Sequence, residues 1–312
     1  MAKYRILSMD GGGVRGLLVT ILLEQLDGLM PGWREKVDLL AGTSSGGIIA
    51  LGLAKGLTPT DLRALYYDKS PLIFGDSLLD DLRDLGRVVG AEFGNRSLRQ
   101  QVEAVFGTTR LQDLDKRVLI SAFDLDNEHP DPGQRTWKPK FFHNFPGTDS
   151  DGARRASDVA LYTSAAPTYF PSVDGFVDGG VAANNPSMAA LAQTQDRRAR
   201  IPRRPSIDEV ALFSIGTGRS MSIIKGQRHD WGYAQWAKPL LRLTFDALVG
   251  IPDYQCRQML GDRYHRLDHT FRPGQEVDLD QHTARDRLVQ IGEQEMRAEL
   301  GQAAAWLRRH WM

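Results

Sequence analysis

The 312-residue chain contains one cysteine, Cys256, which excludes an internal disulfide and any cysteine-cluster metal site. That scarcity fits a reducing compartment, so the expectation is a cytoplasmic protein in which Cys256 is a small core residue. Net charge is missing too: 39 Lys and Arg balance 39 Asp and Glu. No overall field therefore draws the chain to nucleic acid or to an anionic membrane, and partners must come from local sites. No stretch supplies the ~18–20 uninterrupted apolar residues that cross a bilayer, which limits membrane contact to the periphery. Met1 to Asp10 has neither the apolar region nor the cleavage site of a signal peptide, so export by that route is not expected. Internal repeats, low-complexity tracts, a calcium-loop pattern and an interdomain linker are absent as well. What remains reads as one globular domain over 1–312, with no metal and no cofactor.

The stretch that organises the rest runs from Val37 to Gly47: a short buried strand, then Gly-x-Ser-x-Gly centred on Ser44, then an apolar helix, Ile48 to Leu53. A serine hydroxyl is a poor nucleophile unless a sharp strand-to-helix turn lifts it clear of the backbone and a base lies beside it. Gly42 and Gly46, two residues either side, are where a Cβ collides with neighbouring chain. Upstream, Tyr4 to Met9 alternates like a strand and enters Asp10-Gly-Gly-Gly-Val-Arg-Gly16, followed by a mostly buried helix, Leu17 to Leu29. Those glycines formally match a dinucleotide-binding fingerprint, yet the next strand ends in Gly42-Thr-Ser44 and lacks the acidic residue that holds a ribose. The same loop suits another role, because Gly11, Gly12 and Gly13 can turn two backbone N–H groups toward an oxygen held over Ser44. A right-handed β-α-β crossover brings both glycine loops to the same carboxyl edge of a parallel sheet. Arg15 reads as a brace for the first loop.

Further along, Thr58 caps a scaffold helix with Pro59 at its first position, and Pro71 to Leu79 reads as core or as a flap contacting lipid. Ser97 and Ser157 are read as caps of two more helices, with Gly107 closing the first. Arg117 to Asp124, Lys140 to Phe145, Val210 to Ile215 and Tyr264 to Leu267 read as strands. Phe176-Val-Asp178 is a strand whose carboxylate ends at a sheet edge, followed by Gly179 and Gly180. Arg197, Arg198, Arg200, Arg203 and Arg204 read as a solvated loop with an option on lipid headgroups. Trp231 to Gly250 carries two apolar helical faces and is the candidate for shaping an acyl tunnel, while Thr283 to Trp311 reads as an amphipathic helix packed on the outside.

Taken together, Asp-Gly-Gly-Gly-Val-Arg-Gly, Gly-Thr-Ser-Ser-Gly one helix later, and Asp-Gly-Gly after Ser164-Ala-Ala-Pro-Thr-Tyr-Phe-Pro171 resemble the patatin-like phospholipase family in motif and in order. The resemblance runs from about residue 5 to about 218 and is loose over the helical part, 219–312. It implies a three-layer α/β/α sandwich with a mainly parallel central sheet. It further implies Ser44 as nucleophile, Asp178 as its dyad partner and Gly11, Gly12 and Gly13 as oxyanion loop. Arg15, Gly16, Gly42, Gly46, Gly179 and Gly180 become supporting motif residues. The activity implied is calcium-independent hydrolysis of carboxyl esters of phospholipids or other acyl lipids at a membrane or micelle surface, through an acyl-enzyme. Two alternatives stand beside it. A Ser-Asp-His α/β-hydrolase is disfavoured because only one helix separates the two glycine loops. The other is a non-catalytic binding protein or nucleotide-dependent oxidoreductase on the same sheet.

Overall fold

Strands with alternate residues on opposite faces, all apolar, must be covered on both sides, and the sequence supplies such strands repeatedly. The computed structural model describes residues 4–74, 93–221, 223–226 and 230–312; Leu78, Leu79 and His229, and the side chain of Phe74, lie outside what it describes. In chain order it has β1 (Tyr4–Met9), α1 (Gly16–Leu29), β2 (Leu39–Thr43), α2 (Ser45–Ala54), α3 (Pro59–Phe74), α4 (Asn95–Phe106) and β3 (Arg117–Asp124). Next come β4 (Lys138–His143), α5 (Ala156–Ser164), β5 (Phe176–Asp178), α6 (Gly180–Ala183), α7 (Ser187–Gln193), β6 (Val210–Ile215) and β7 (Arg219–Ser220). The chain closes with α8 (Tyr233–Leu260), β8 (Tyr264–Leu267), β9 (Thr270–Phe271), α9 (Arg285–Gln290) and α10 (Arg297–His310).

The sheet order is β4-β3-β2-β1-β6-β8, with β5 also paired to β3. Neighbours from β3 through β8 are parallel, and only β4 and β5 run against the rest. Leu7, Met9, Leu40, Ile120 and Phe213 face one core, shared with α1, α2, α4 and α5. Ile6, Leu39, Leu119 and Leu212 face the other, shared with Leu191 of α7 and with Cys256 and Leu260 of α8. This is a three-layer α/β/α sandwich around a mainly parallel sheet, as expected.

Several local expectations need correcting. Thr58 does cap α3, its hydroxyl accepting the Asp61 N–H at 3.1 Å while Asp61 accepts the Thr58 N–H at 2.9 Å. Ser97 and Ser157, however, lie inside their helices, because Gly94 and Arg155 already hold the extended backbone of the capping position. Pro71 does not break the chain before Phe74, since α3 continues through it. The arginine loop is tied down by its own neighbours: Arg198 pairs with Asp196 at 2.8 Å and Asp149 at 3.1 Å, and Arg203 with Glu209 at 2.5 Å.

The tail differs most. In place of one outer helix, α9 runs into a π-helical turn, Ile291–Glu295, before α10. Gly292 in that turn sits where a Cβ would press on Ile21, so the wider turn lets the tail settle directly on α1. Leu288, Ile291, Leu300, Leu307 and Trp311 are buried there. Trp311 donates its indole N–H to the Trp33 carbonyl at 3.0 Å, and its own carbonyl accepts from Arg5 at 2.7 Å. Trp311→Ala is expected to cost ~3–5 kcal/mol, the usual penalty for emptying a buried tryptophan site. Urea unfolding followed by far-ultraviolet dichroism checks this; a loss below about 1 kcal/mol would mean the tail is only draped over the core.

Candidate active site

One residue separates β2 from α2, and it is Ser44. Its backbone stands at φ 53° and ψ −124°, a positive φ that costs a non-glycine residue energy and persists only where the surroundings enforce it. They do so through close approach. A Cβ on Gly42 would strike the backbone of Gly46, and one on Gly46 would strike the carbonyls of Met9 and Asp10. Hydrogen bonds complete the hold: the Ser44 N–H donates to Thr163 Oγ1 at 2.8 Å, which in turn donates to the Ser121 carbonyl at 2.6 Å. Thr43 Oγ1 donates to the Ala183 carbonyl at 2.6 Å.

Asp178 reaches the same spot along β3. Thr43, the last residue of β2, pairs with Ser121, and the next residue of β3, Ala122, pairs with Asp178 of the antiparallel β5. The ends of β2 and β5 thus meet head-on against one edge of β3, bringing Ser44 and Asp178 together although 134 residues separate them in sequence. Asp178 is buried, and its Oδ1 accepts the Gly180 N–H at 2.7 Å. Burial pushes its carboxyl up to about 7, against the opposing pull of the Ser44 hydroxyl and the Gly180 N–H. Gly179 is required at this junction because a Cβ would run into Ser121.

The first glycine loop lies alongside. Of its three candidate donors, Gly11 is not available: its N–H donates to the Asn184 carbonyl at 3.1 Å. The Val14 N–H goes to the Leu279 carbonyl at 2.8 Å and the Arg15 N–H to the Gly12 carbonyl at 3.0 Å. Among the described residues no partner takes the N–H groups of Gly12 and Gly13, so the glycine run offers two N–H groups. Arg15 is the brace it was read as, donating from Nη1 to the Gly218 carbonyl at 3.1 Å and from Nε to the Gly12 carbonyl at 3.4 Å. Gly16 packs against Tyr66 and Ser45 with no space for a side chain.

These groups open on a cavity of about 610 Å³. One arm is apolar, lined by Ile48, Leu65, Leu98, Val102, Phe106 and Phe170. The wall expected from Trp231 to Gly250 is therefore built mainly by α2, α3 and α4. Among the described residues, α8 contributes Phe245, Asp246, Val249 and Gly250. No histidine lines the cavity among the described residues. His265 packs beside Phe213 and Trp306, with ring centroids 5.8 and 5.6 Å away, and burial pushes it down to about 4. Thr163 and Asn184 carry no sequence signal for their part here; only the fold reveals which backbone groups they meet.

Residues 7–191 match the model of the family described as patatin-like phospholipase. The chain is 31% identical over 310 residues to a cGAMP-activated phospholipase of Pseudomonas aeruginosa, spanning 97% of this chain and 88% of that protein. It is 29% identical over 345 residues to patatin-like protein 1 of Oryza sativa subsp. indica, spanning 93% and 80%. Among solved structures, VipD from Legionella pneumophila aligns over 92% of this chain and 66% of its own, with a TM-score of 0.39 and 12% identity. The chain belongs to the patatin-like phospholipase family. It is a hydrolase of ester bonds, and membership implies lipid acyl hydrolysis.

The burial of Asp178 has a signed consequence for stability. Its folded value of about 7 lies above the ordinary 3.8, so the folded chain holds a proton that the unfolded chain releases. The contribution is complete below about pH 4 and is lost as pH rises through the folded value. Asp178→Asn removes the buried charge while keeping an acceptor for Gly180, so the variant is expected to melt at higher temperature than wild type at pH 8. The gap should shrink toward pH 5. Identical melting differences at the two pH values would contradict the burial of a charge at this position.

Proposed function

We propose that the protein is a calcium-independent serine lipid acyl hydrolase in which Ser44 and Asp178 form the catalytic dyad. The observation that carries this reading is the shared edge of β3, along which the ends of β2 and β5 meet. Asp178 takes the proton from Ser44 Oγ as Oγ bonds to the acyl carbonyl carbon. The carbonyl oxygen becomes an oxyanion that accepts from the Gly12 and Gly13 N–H groups. Collapse expels the alcohol, which leaves with the proton held by Asp178. Water then attacks the acyl-serine with Asp178 as base, and Ser44 recovers its proton as the fatty acid departs. The apolar arm suits an acyl chain, and the absence of a lining histidine among the described residues argues against a triad.

The substrate reading is a phospholipid or another acyl lipid presented at a membrane or micelle. Contact with that surface is assigned to α8 and the segment before it. Leu240, Leu243, Ile251 and Tyr254 recur at helical spacing on one face and are 55, 44, 54 and 64% exposed. Met221, 62% exposed, lines the cavity. Trp236, on the same helix, is half-buried against Trp231 with ring centroids 5.0 Å apart and is the weaker choice. We further read the chain as a single catalytic domain in the cytoplasm, in keeping with its lone buried cysteine.

A fluorophosphonate probe should label wild type at Ser44 and leave Ser44→Ala untouched, and Ser44→Ala should lose at least ~10³-fold in ester hydrolysis. Chelation should leave the rate unchanged, and kcat/KM should fall as pH drops through about 7, where Asp178 gains its proton. Any His→Gln variant that folds yet falls as far as Ser44→Ala would replace the dyad with a triad. A panel of phospholipids, galactolipids and glycerides, run with and without cGAMP because the Pseudomonas relative is named for that activator, identifies the substrate class. Leu243→Ser with Ile251→Ser should weaken co-sedimentation with vesicles while sparing a short soluble ester.

A further inference from the structure

The glycine loop has no side chains with which to hold its own shape, yet its two free N–H groups must aim at one point. A closed ring of hydrogen bonds supplies the hold. Asp10, which opens the loop, receives both arms of the Arg266 guanidinium, Nη2 to Oδ2 at 2.6 Å and Nη1 to Oδ1 at 3.3 Å. Arg266 comes from β8, two strands away beyond β6, and is steadied by donation to Ser214 Oγ at 2.8 Å. From Arg266 the ring passes to Asp268 at 2.8 Å, and Asp268 Oδ1 accepts the Gly218 N–H at 2.9 Å. The Gly218 carbonyl accepts from Arg15, whose Nε returns to the Gly12 carbonyl. Thr217, one residue before Gly218, donates to the Gly11 carbonyl at 2.9 Å. The ring begins and ends on the loop that carries the oxyanion donors.

Such a ring is an expensive way to gain stability. Asp10 and Arg266 side chains are 2 and 6% exposed, and burial outweighs the arginine enough to push Asp10 up to about 6. Apolar replacements of similar volume commonly match or exceed a buried ion pair in stability. What they do not reproduce is direction: a guanidinium that grips one carboxylate with both arms and a second with a shared nitrogen fixes three segments in angle as well as distance.

We propose that Arg266, with Asp268, is a positioning residue that sets the aim of the Gly12 and Gly13 N–H groups from two strands away. Neither residue is assigned to the chemistry of the dyad; they act through the loop. The inference rests on the esterase reading above and is tested alongside it. Arg266→Met should lower kcat about 100-fold while KM stays within roughly threefold, because misaimed donors fail in the transition state more than in the ground state. Arg266→Lys, which keeps the charge and loses the fork, should recover about a tenth of the wild-type kcat. Asp268→Asn, which preserves shape and weakens the hold on Gly218, should lower kcat about tenfold, and it decides the matter if Arg266→Met does not fold. Phosphonylation of Ser44 should slow in step with kcat in all three variants, which a purely structural role would not cause in the folded fraction. Wild type labelled at Ser44, with Asp268→Asn and every folded Arg266 variant at wild-type kcat, overturns the positioning role alone. Wild type neither labelled nor active overturns the esterase reading and the positioning role together.

Discussion

The structure depends on a collision avoided at two glycines. Where β2 gives way to α2, the backbone of Gly46 passes so close to Gly42, and to the carbonyls at the end of β1, that no side chain fits at either position. That contact pins the first turn of α2 against the sheet and leaves Ser44 in a backbone conformation a serine does not choose by itself. Much of the surrounding polar architecture answers to this one point. Thr163 from α5 takes the Ser44 N–H, Thr43 reaches the carbonyl of Ala183, and the close packing of Gly179 on Ser121 brings β5 end to end with β2.

Sheet and layers were legible because parallel strands covered on both faces must be apolar at consecutive positions, and β1, β2, β3 and β6 show that plainly. The glycines at 42 and 46 were legible for the same kind of reason: a Gly-x-Ser-x-Gly turn between a strand and a helix has one steric explanation. Other features depended on partners far away in the chain. Nothing near Gly11 says that the carbonyl of Asn184 takes its N–H, so which two of the three glycines keep an unpartnered N–H was not legible. The caps at Ser97 and Ser157 failed because a serine near a helix start is a local signal, while the actual boundaries follow the extended backbone at Gly94 and Arg155. The apolar pattern of Trp231 to Gly250 suggested a tunnel wall, but pattern alone does not distinguish a face turned inward from one left bare. Its Leu240 and Leu243 face outward, and among the described residues Phe245, Asp246, Val249 and Gly250 line the cavity.

Two buried carboxylates near the cavity illustrate how environment assigns different work to the same chemical group. Asp178 meets a hydroxyl and a backbone N–H and no cation among its perturbing groups, so burial leaves it basic enough to accept a proton near neutrality. Asp10 is buried as deeply but grips an arginine with both oxygens, and its lone pairs are already spoken for. One carboxylate has a hydroxyl beside it, and the other is held by a guanidinium as a strut.

The distribution of these parts along the chain bears on when the protein acquires its shape during synthesis. Ser44 and Asp178 lie in the first 178 residues, yet the glycine loop between β1 and α1 is held by Arg266 and Asp268 near β8 and by the carbonyl of Leu279. A nascent chain can therefore display both motif residues on the ribosome while the loop beside them still lacks its fasteners. A domain folds as a unit, so the fasteners supplied from β8 onward can reach the first loop only once they have been synthesised. The hydrogen-bond ring around that loop therefore closes only after translation has run past β8.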